Sequence, residues 1–213
     1  MQQFFTVALP LLAAVTTSTT TLPPMFPPPP VSGPPPFSII KEEPTSKTAI
    51  REVAPEKSKE TKLICKGCSL YENLALDYFQ ERGIKDKNAL ATILGNIKQE
   101  SMFVPNICEG GSRTNYRNCY GGYGLIQWTS ADRYHGLGQF ARKYGGSPSD
   151  IHTQLRYLTN EVQWKEIESR MKTSGKSIDR YMNDTYSWIG WGIHGDRTSY
   201  AHQYVNRLAK VEV

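Results

Sequence analysis

Gly95-Asn96-Ile97-Lys98-Gln99-Glu100-Ser101-Met102-Phe103, followed by Gly121-Gly122-Tyr123-Gly124-Leu125-Ile126-Gln127-Trp128-Thr129, is the stretch on which the reading of this chain turns. Leu90, Ile93, Leu94 and Ile97 recur at helical spacing after an Asp86 cap, and Pro105 stops a helix from running far beyond Ser101. Glu100 stands three residues after Ile97 and seven after Ile93, on the face of that helix that points to the core. A carboxyl held on an apolar face loses hydration, keeps its proton to higher pH and can protonate a leaving oxygen. The plain alternative is a glutamate that ends its helix and points to water.

In the second half of the stretch, Gly121, Gly122 and Gly124 leave the backbone bare around Tyr123, so that an extended ligand can approach main-chain N–H and C=O groups. Gln127 offers a donor and an acceptor, and Tyr120, Tyr123 and Trp128 offer flat faces suited to sugar rings or to bases. The competing reading is a glycine-rich hairpin whose aromatics belong to the core.

Working outward, Ser69-Leu70-Tyr71-Glu72 forms a capping box that opens a helix ending at Gly83, with Leu70, Tyr71, Leu74, Ala75, Tyr78 and Phe79 as its apolar stripe. Residues 106–124 read as loop with a short hairpin. Thr129 to Asp132 caps a helix that stops at Gly145-Gly146, and Ser147-Pro148-Ser149-Asp150 starts another carrying Ile151, Leu155, Leu158 and Val162. Shorter helices follow at 164–171 and 177–182, and a last one places Tyr200, Ala201, Tyr204, Val205 and Leu208 on one side.

Composition divides the chain. Residues 1–68 hold twelve of the fourteen prolines, whereas all four tryptophans and all twelve tyrosines lie beyond them, which puts a packed domain at 69–213. Within the first part, Phe4 to Val15 is an apolar run of twelve residues, too short for a stable transmembrane helix and without the flanks of a cleaved export signal, so a retained segment is expected. Pro27–Pro30 and Pro34–Pro36 predict an extended polyproline-II strut, and 41–62 a mixed-charge continuation. Residues 1–68 are thus expected to act as a tether or anchor. The formal net charge of +5 suits anionic polymers or surfaces in general, and no Lys/Arg run singles out nucleic acid as a partner.

The cysteines Cys65, Cys68, Cys108 and Cys119 leave three readings open: a four-thiolate structural zinc site, a Cys108–Cys119 disulfide with or without a second one, or reduced thiols. His135, His152, His194 and His202 have no shared metal-ligand spacing.

Gln99-Glu100-Ser101 with Phe103 and Pro105, then Gly122-Tyr123-Gly124-Leu125-Ile126-Gln127-Trp128-Thr129, and then Arg133, Leu137 and Phe140-Ala141, resembles the phage tail lysozyme family. It is also similar to the wider lysozyme-like group of goose-type lysozymes and soluble lytic transglycosylases. The resemblance implies a mostly helical, lysozyme-like α+β fold with a small loop or β-hairpin lobe, following the Pro-rich extended N-terminal segment. It implies cleavage of the β-1,4 bond between the amino sugars of peptidoglycan, with Glu100 as acid, and no cofactor for catalysis. A virion location at the tail tip or baseplate hub follows as an expectation, with hub proteins as partners of residues 1–68.

Goose-type enzymes tend to carry an Asp where this chain has Thr129. Glu109 is then the candidate second carboxylate, in a Glu, acid, Thr order shared with some phage lysozymes, and Asp132 the reserve. Tyr123, Gly124, Gln127, Trp128 and Trp191 are the candidate substrate-binding residues. Two alternatives stay open: a lytic transglycosylase that needs only one acid, and a non-enzymatic tail-hub protein whose lysozyme-like domain binds glycan.

Overall fold

The computed structural model describes residues 61–212, and the apolar and Pro-rich segments expected before residue 61 lie outside them. The order of elements is β1 (Thr61–Cys65), α1 (Leu70–Glu81), α2 (Lys87–Ser101), a single 3-10 turn (Tyr116–Asn118), α3 (Ala131–Tyr144), α4 (Ile151–Leu158), α5 (Val162–Lys172), α6 (Ile178–Ile189), α7 (Arg197–Arg207) and β2 (Leu208–Glu212). The fold is α+β and mostly helical, with a small two-stranded sheet.

Helix α2 is the axis of the molecule. Asp86 caps it by accepting from the N–H groups of Asn88 and Ala89, and every residue from Ala89 to Ile97 is buried. A helix buried all round has neighbours on every side, and α2 packs against α1, α6 and, most extensively, α7. Its buried polar side chains donate along the helix and across to α6: Thr92 Oγ1 to Asn88 O (2.8 Å), and Asn96 Nδ2 to Thr92 O (2.9 Å) and Thr185 Oγ1 (3.2 Å). A β-carbon on Gly95 would stand 2.8 Å from both Arg197 O and Ala201 N, so the absence of a side chain there is what lets the α7 backbone lie against α2. Beyond Ser101 the chain turns sharply, with Met102 at φ 51° and Phe103 at φ 63°. Phe103 is buried, and Ser101 Oγ donates to Leu125 O (2.9 Å), which ties the end of α2 to the glycine-rich loop.

Several local expectations shift in register. The Ser69 capping box is present, but the buried side of α1 is Ala75, Leu76, Phe79 and Gln80, and Leu70 is 70% exposed. Helix α4 is capped by Asp150, not Ser147, because Ser147 to Asp150 closes a turn of its own (Asp150 N to Ser147 O, 3.0 Å). Val162 is exposed at the start of α5, and α6 runs on to Ile189, carrying Trp188 into the core. Leu208 is buried as the first residue of β2, not as the end of α7.

A second piece of β structure joins the expected loop lobe. Residues 106–124 form only isolated bridges, whereas β1 pairs antiparallel with β2, Thr61 opposite Glu212 and Cys65 opposite Leu208. Thr61–Cys65, inside the segment that composition groups with the tether, is thus paired with the last strand of the described domain. Buried Gln80 completes the ladder by accepting from Leu63 N (2.7 Å) and donating to Leu63 O (2.9 Å).

Alanine is ordinarily the better helix residue by about 1 kcal/mol. Gly95→Ala should nevertheless lower stability by about 1–3 kcal/mol, through overpacking between α2 and α7. A thermal melt checks this, and an unchanged or higher midpoint would show that the two helices part without cost.

Candidate functional site

The end of α2, the glycine-rich loop and the segment between α6 and α7 converge on one cleft of about 460 Å³. Glu100 forms one wall, Glu109, Ile126, Gln127 and Thr129 a second, and Ile189 to Ile193 with Arg197 a third. Five of the residues singled out in the sequence, Glu100, Glu109, Gln127, Thr129 and Trp191, are thus brought together.

Glu100 is mostly buried and is paired through Oε1 with Nη2 of Arg197. Two effects oppose each other on its carboxyl. Loss of hydration raises its pKa above the ordinary glutamate value, and the positive charges of Arg197 and, farther off, Arg133 lower it; burial wins, and the net direction is upward. Folding therefore raises the proton affinity of this carboxyl. Its contribution to stability is present at low pH and lost as pH rises through the raised pKa.

Glu109 reaches the cleft from the loop. Its backbone N–H donates to Gly122 O (2.8 Å), and its Oε2 accepts from Gly122 N (2.9 Å). The loop is closed at its base by the Cys108–Cys119 disulfide. Thr129 Oγ1 donates to Gln127 O (2.8 Å), and Gln127, held at φ 51°, donates through Nε2 to Gly124 O (3.1 Å). Backbone in this left-handed region is costly for a residue with a side chain and persists where the surroundings impose it, often at functional sites.

Three candidate binding residues do not reach the cleft. Tyr123 is fully buried, with its hydroxyl bonded to Ser149 Oγ (2.6 Å) and donating to Thr114 O (3.1 Å). Trp128 is fully buried and donates from Nε1 to Glu161 Oε2 (3.0 Å), and Glu161 is in turn gripped by both Nε and Nη2 of Arg133. Gly124, at φ 74°, faces the side chain of Gln154, which accepts from Leu125 N and donates to Pro105 O and Pro148 O. Room left by the glycines is filled by protein. A β-carbon on Gly121 would strike Glu109, and one on Gly122 would crowd Gln127 and Thr129. The glycines thus seat the cleft side chains and do not bare the backbone to a ligand. Asp132 lies in the first turn of α3, outside the cleft lining, and makes no cap.

Trp191 is half-buried, its ring edge-on to Tyr186 (5.2 Å between centroids) and to His194 (5.8 Å), with the Arg197 guanidinium 4.9 Å from its centre. Arg197 is the residue that sequence reading misses. It stands ninety-seven positions from Glu100, and nothing in the periodicity of either segment links them.

The cysteines are joined as Cys65–Cys68 and Cys108–Cys119, not gathered into one four-thiolate zinc site. Bridges from Ile107 to Arg113 and from Cys108 to Tyr123 fold the loop so that Cys108 and Cys119 meet, while the first pair closes the turn before α1. Among the described residues, no group of three or more His, Cys, Asp or Glu is placed to hold a metal. No described helix is long and apolar enough to cross a membrane.

The acid on the buried helix, the loop that carries a second carboxylate and the aromatic third wall together describe a lysozyme-like domain. A family model of phage tail lysozymes matches residues 72–208, and the chain belongs to that family. It is similar to morphogenesis protein 1 of Bacillus phage B103, at 30% identity over 116 residues. That match takes in 53% of this chain but spans only 30% of the relative.

Replacing Cys108 and Cys119 together by serine should cost about 2–4 kcal/mol, because the bond closes a loop of moderate length. The Cys65, Cys68 double replacement, which opens a much shorter loop, should cost less. Thermal melts of the two variants compare them, and an unchanged melt of the Cys108, Cys119 variant would show that the Glu109 loop does not depend on its disulfide.

Proposed function

We propose that this domain is a peptidoglycan glycosidase, a muramidase that cleaves the β-1,4 bond between amino sugars of the bacterial wall. The observation that carries the proposal is Glu100: a carboxyl with raised pKa, mostly buried, on the wall of a cleft that Glu109, Gln127, Thr129 and Trp191 also line. In this reading Glu100 gives its proton to the glycosidic oxygen as the bond to the anomeric carbon breaks. A water molecule supplies the new hydroxyl, and Glu109, oriented by Gly122 N–H, takes the proton that this water loses. Thr129 and Gln127 position the water and the sugar, and Trp191 presents an aromatic edge to the glycan.

Membership of a phage tail lysozyme family and likeness to a phage morphogenesis protein support a virion-associated role, in which the enzyme opens the wall during infection. In that role the N-terminal segment, residues 1–68, attaches the domain to tail or baseplate-hub proteins, and the enzyme needs no catalytic cofactor. A lytic transglycosylase would use Glu100 alone, through the substrate's own hydroxyl. The presence of Glu109 in the same cleft favours the hydrolase.

Glu100→Gln keeps the shape of the side chain and removes the acid. It should fold with an unchanged melt and lose at least about a hundredfold in the rate of clearing of purified walls. Glu109→Gln should also lose activity under hydrolysis, and should keep most of it under transglycosylation. Wild-type clearing by Glu100→Gln would end the assignment.

A further inference from the structure

Nothing in the reaction as described uses Arg197, yet it is among the most thoroughly desolvated charges in the described domain, 4% exposed. Its Nη2 donates to Glu100 Oε1, its guanidinium lies 4.9 Å from the centre of the Trp191 ring, and its Nε and Nη1 are buried with no acceptor among the described residues. Arginine has five N–H donors, and burying a guanidinium with two nitrogens unpaired works against stability. The stability of the fold therefore does not account for its place.

We propose that Arg197 is the positioning residue of the acid: it fixes which oxygen of Glu100 carries the proton and balances the charge left when that proton is given away. The inference rests on Glu100 being the acid. Because Oε1 accepts from Nη2, the acidic proton resides on Oε2. When the proton passes to the leaving sugar oxygen, the neutral acceptor becomes an anion, and the bond from the Nη2 cation becomes a full ion pair. An interaction that strengthens as the proton moves lowers the barrier, whereas one of constant strength does not. The Trp191 ring holds the guanidinium plane by a cation–π contact, which a lysine ammonium would not reproduce in the same geometry.

The same geometry sets the direction of the pH effect. Arg197, at the start of α7, is the positive charge bonded to the Glu100 carboxyl. Arg133 on α3 acts on it from farther away, and Glu109 faces it from the loop across the cleft. Asp196 is held through its backbone by Gln99, and His194 meets the edge of Trp191. Removing Arg197 takes away the nearest positive charge, so Glu100 keeps its proton to higher pH.

Initial rates of wall clearing against pH and wall concentration test this in wild type, Arg197→Met, Arg197→Lys and Glu100→Gln. In Arg197→Met the maximal rate should fall about tenfold to a hundredfold, as on removal of a charge-stabilising donor. Half-saturation should change little, and the alkaline limb should move up by about one pH unit. Arg197→Lys, which keeps the charge, should keep the wild-type limb and lose about tenfold in maximal rate. An Arg197→Met limb that coincides with wild type overturns the proposal. If that variant does not fold, Arg197→Lys decides, and wild-type rate in it overturns the proposal equally. An active Glu100→Gln would remove the acid itself, whereas an inactive one beside an unmoved Arg197→Met profile would remove only the role of Arg197.

Discussion

The close approach of α2 and α7 at Gly95 is the constraint on which the rest of the structure depends. A β-carbon at that position would push into the α7 backbone at Arg197 and Ala201. One turn and a half farther along α2 stands Glu100, and the first residue of α7 is Arg197. The same contact therefore packs the core and sets the distance between the carboxyl and the guanidinium. Pulling the helices apart would separate the carboxyl from the guanidinium and admit water to both groups.

From that axis the cleft is assembled by small polar connections. Ser101 holds the glycine loop to the end of α2, Gly122 holds Glu109, and Gln154 anchors the loop from below through three main-chain contacts. Glu161, buried and shared between Arg133 and Trp128, fixes the loop to α3 from the other side. Each buried polar group in this set has a partner, which is the condition under which a polar network stiffens a site. At Glu100 burial and a positive neighbour pull the proton affinity in different directions, and burial wins.

Much of the fold was legible because helix signals are local. Asp86, the Ser69 box, Gly145 and the apolar spacing of α2 each act within a turn or two of chain, and each appears where the sequence places it. The sheet was not legible, since Thr61–Cys65 is a five-residue strand whose partner is at the far end of the domain. For the site, Glu100 could be placed by periodicity and Gln127 by its loop. The glycines misled, because a bare backbone looks the same in sequence whether a ligand or a neighbouring side chain fills the space. Tyr123 and Trp128 went to the core for the same reason, their polar tips finding Ser149 and Glu161. Arg197 carried no signal at all, because its importance arises only when two distant helices meet.

Mass analysis of the soluble products released from purified peptidoglycan is the most direct test of the central claim. Two carboxylates sharing the cleft predict fragments that end in a free reducing amino sugar, with one water added for each bond cut. Fragments ending in an anhydro sugar would contradict the role given to Glu109 and leave Glu100 working alone. No released fragments from a folded domain would contradict the glycosidase reading as a whole.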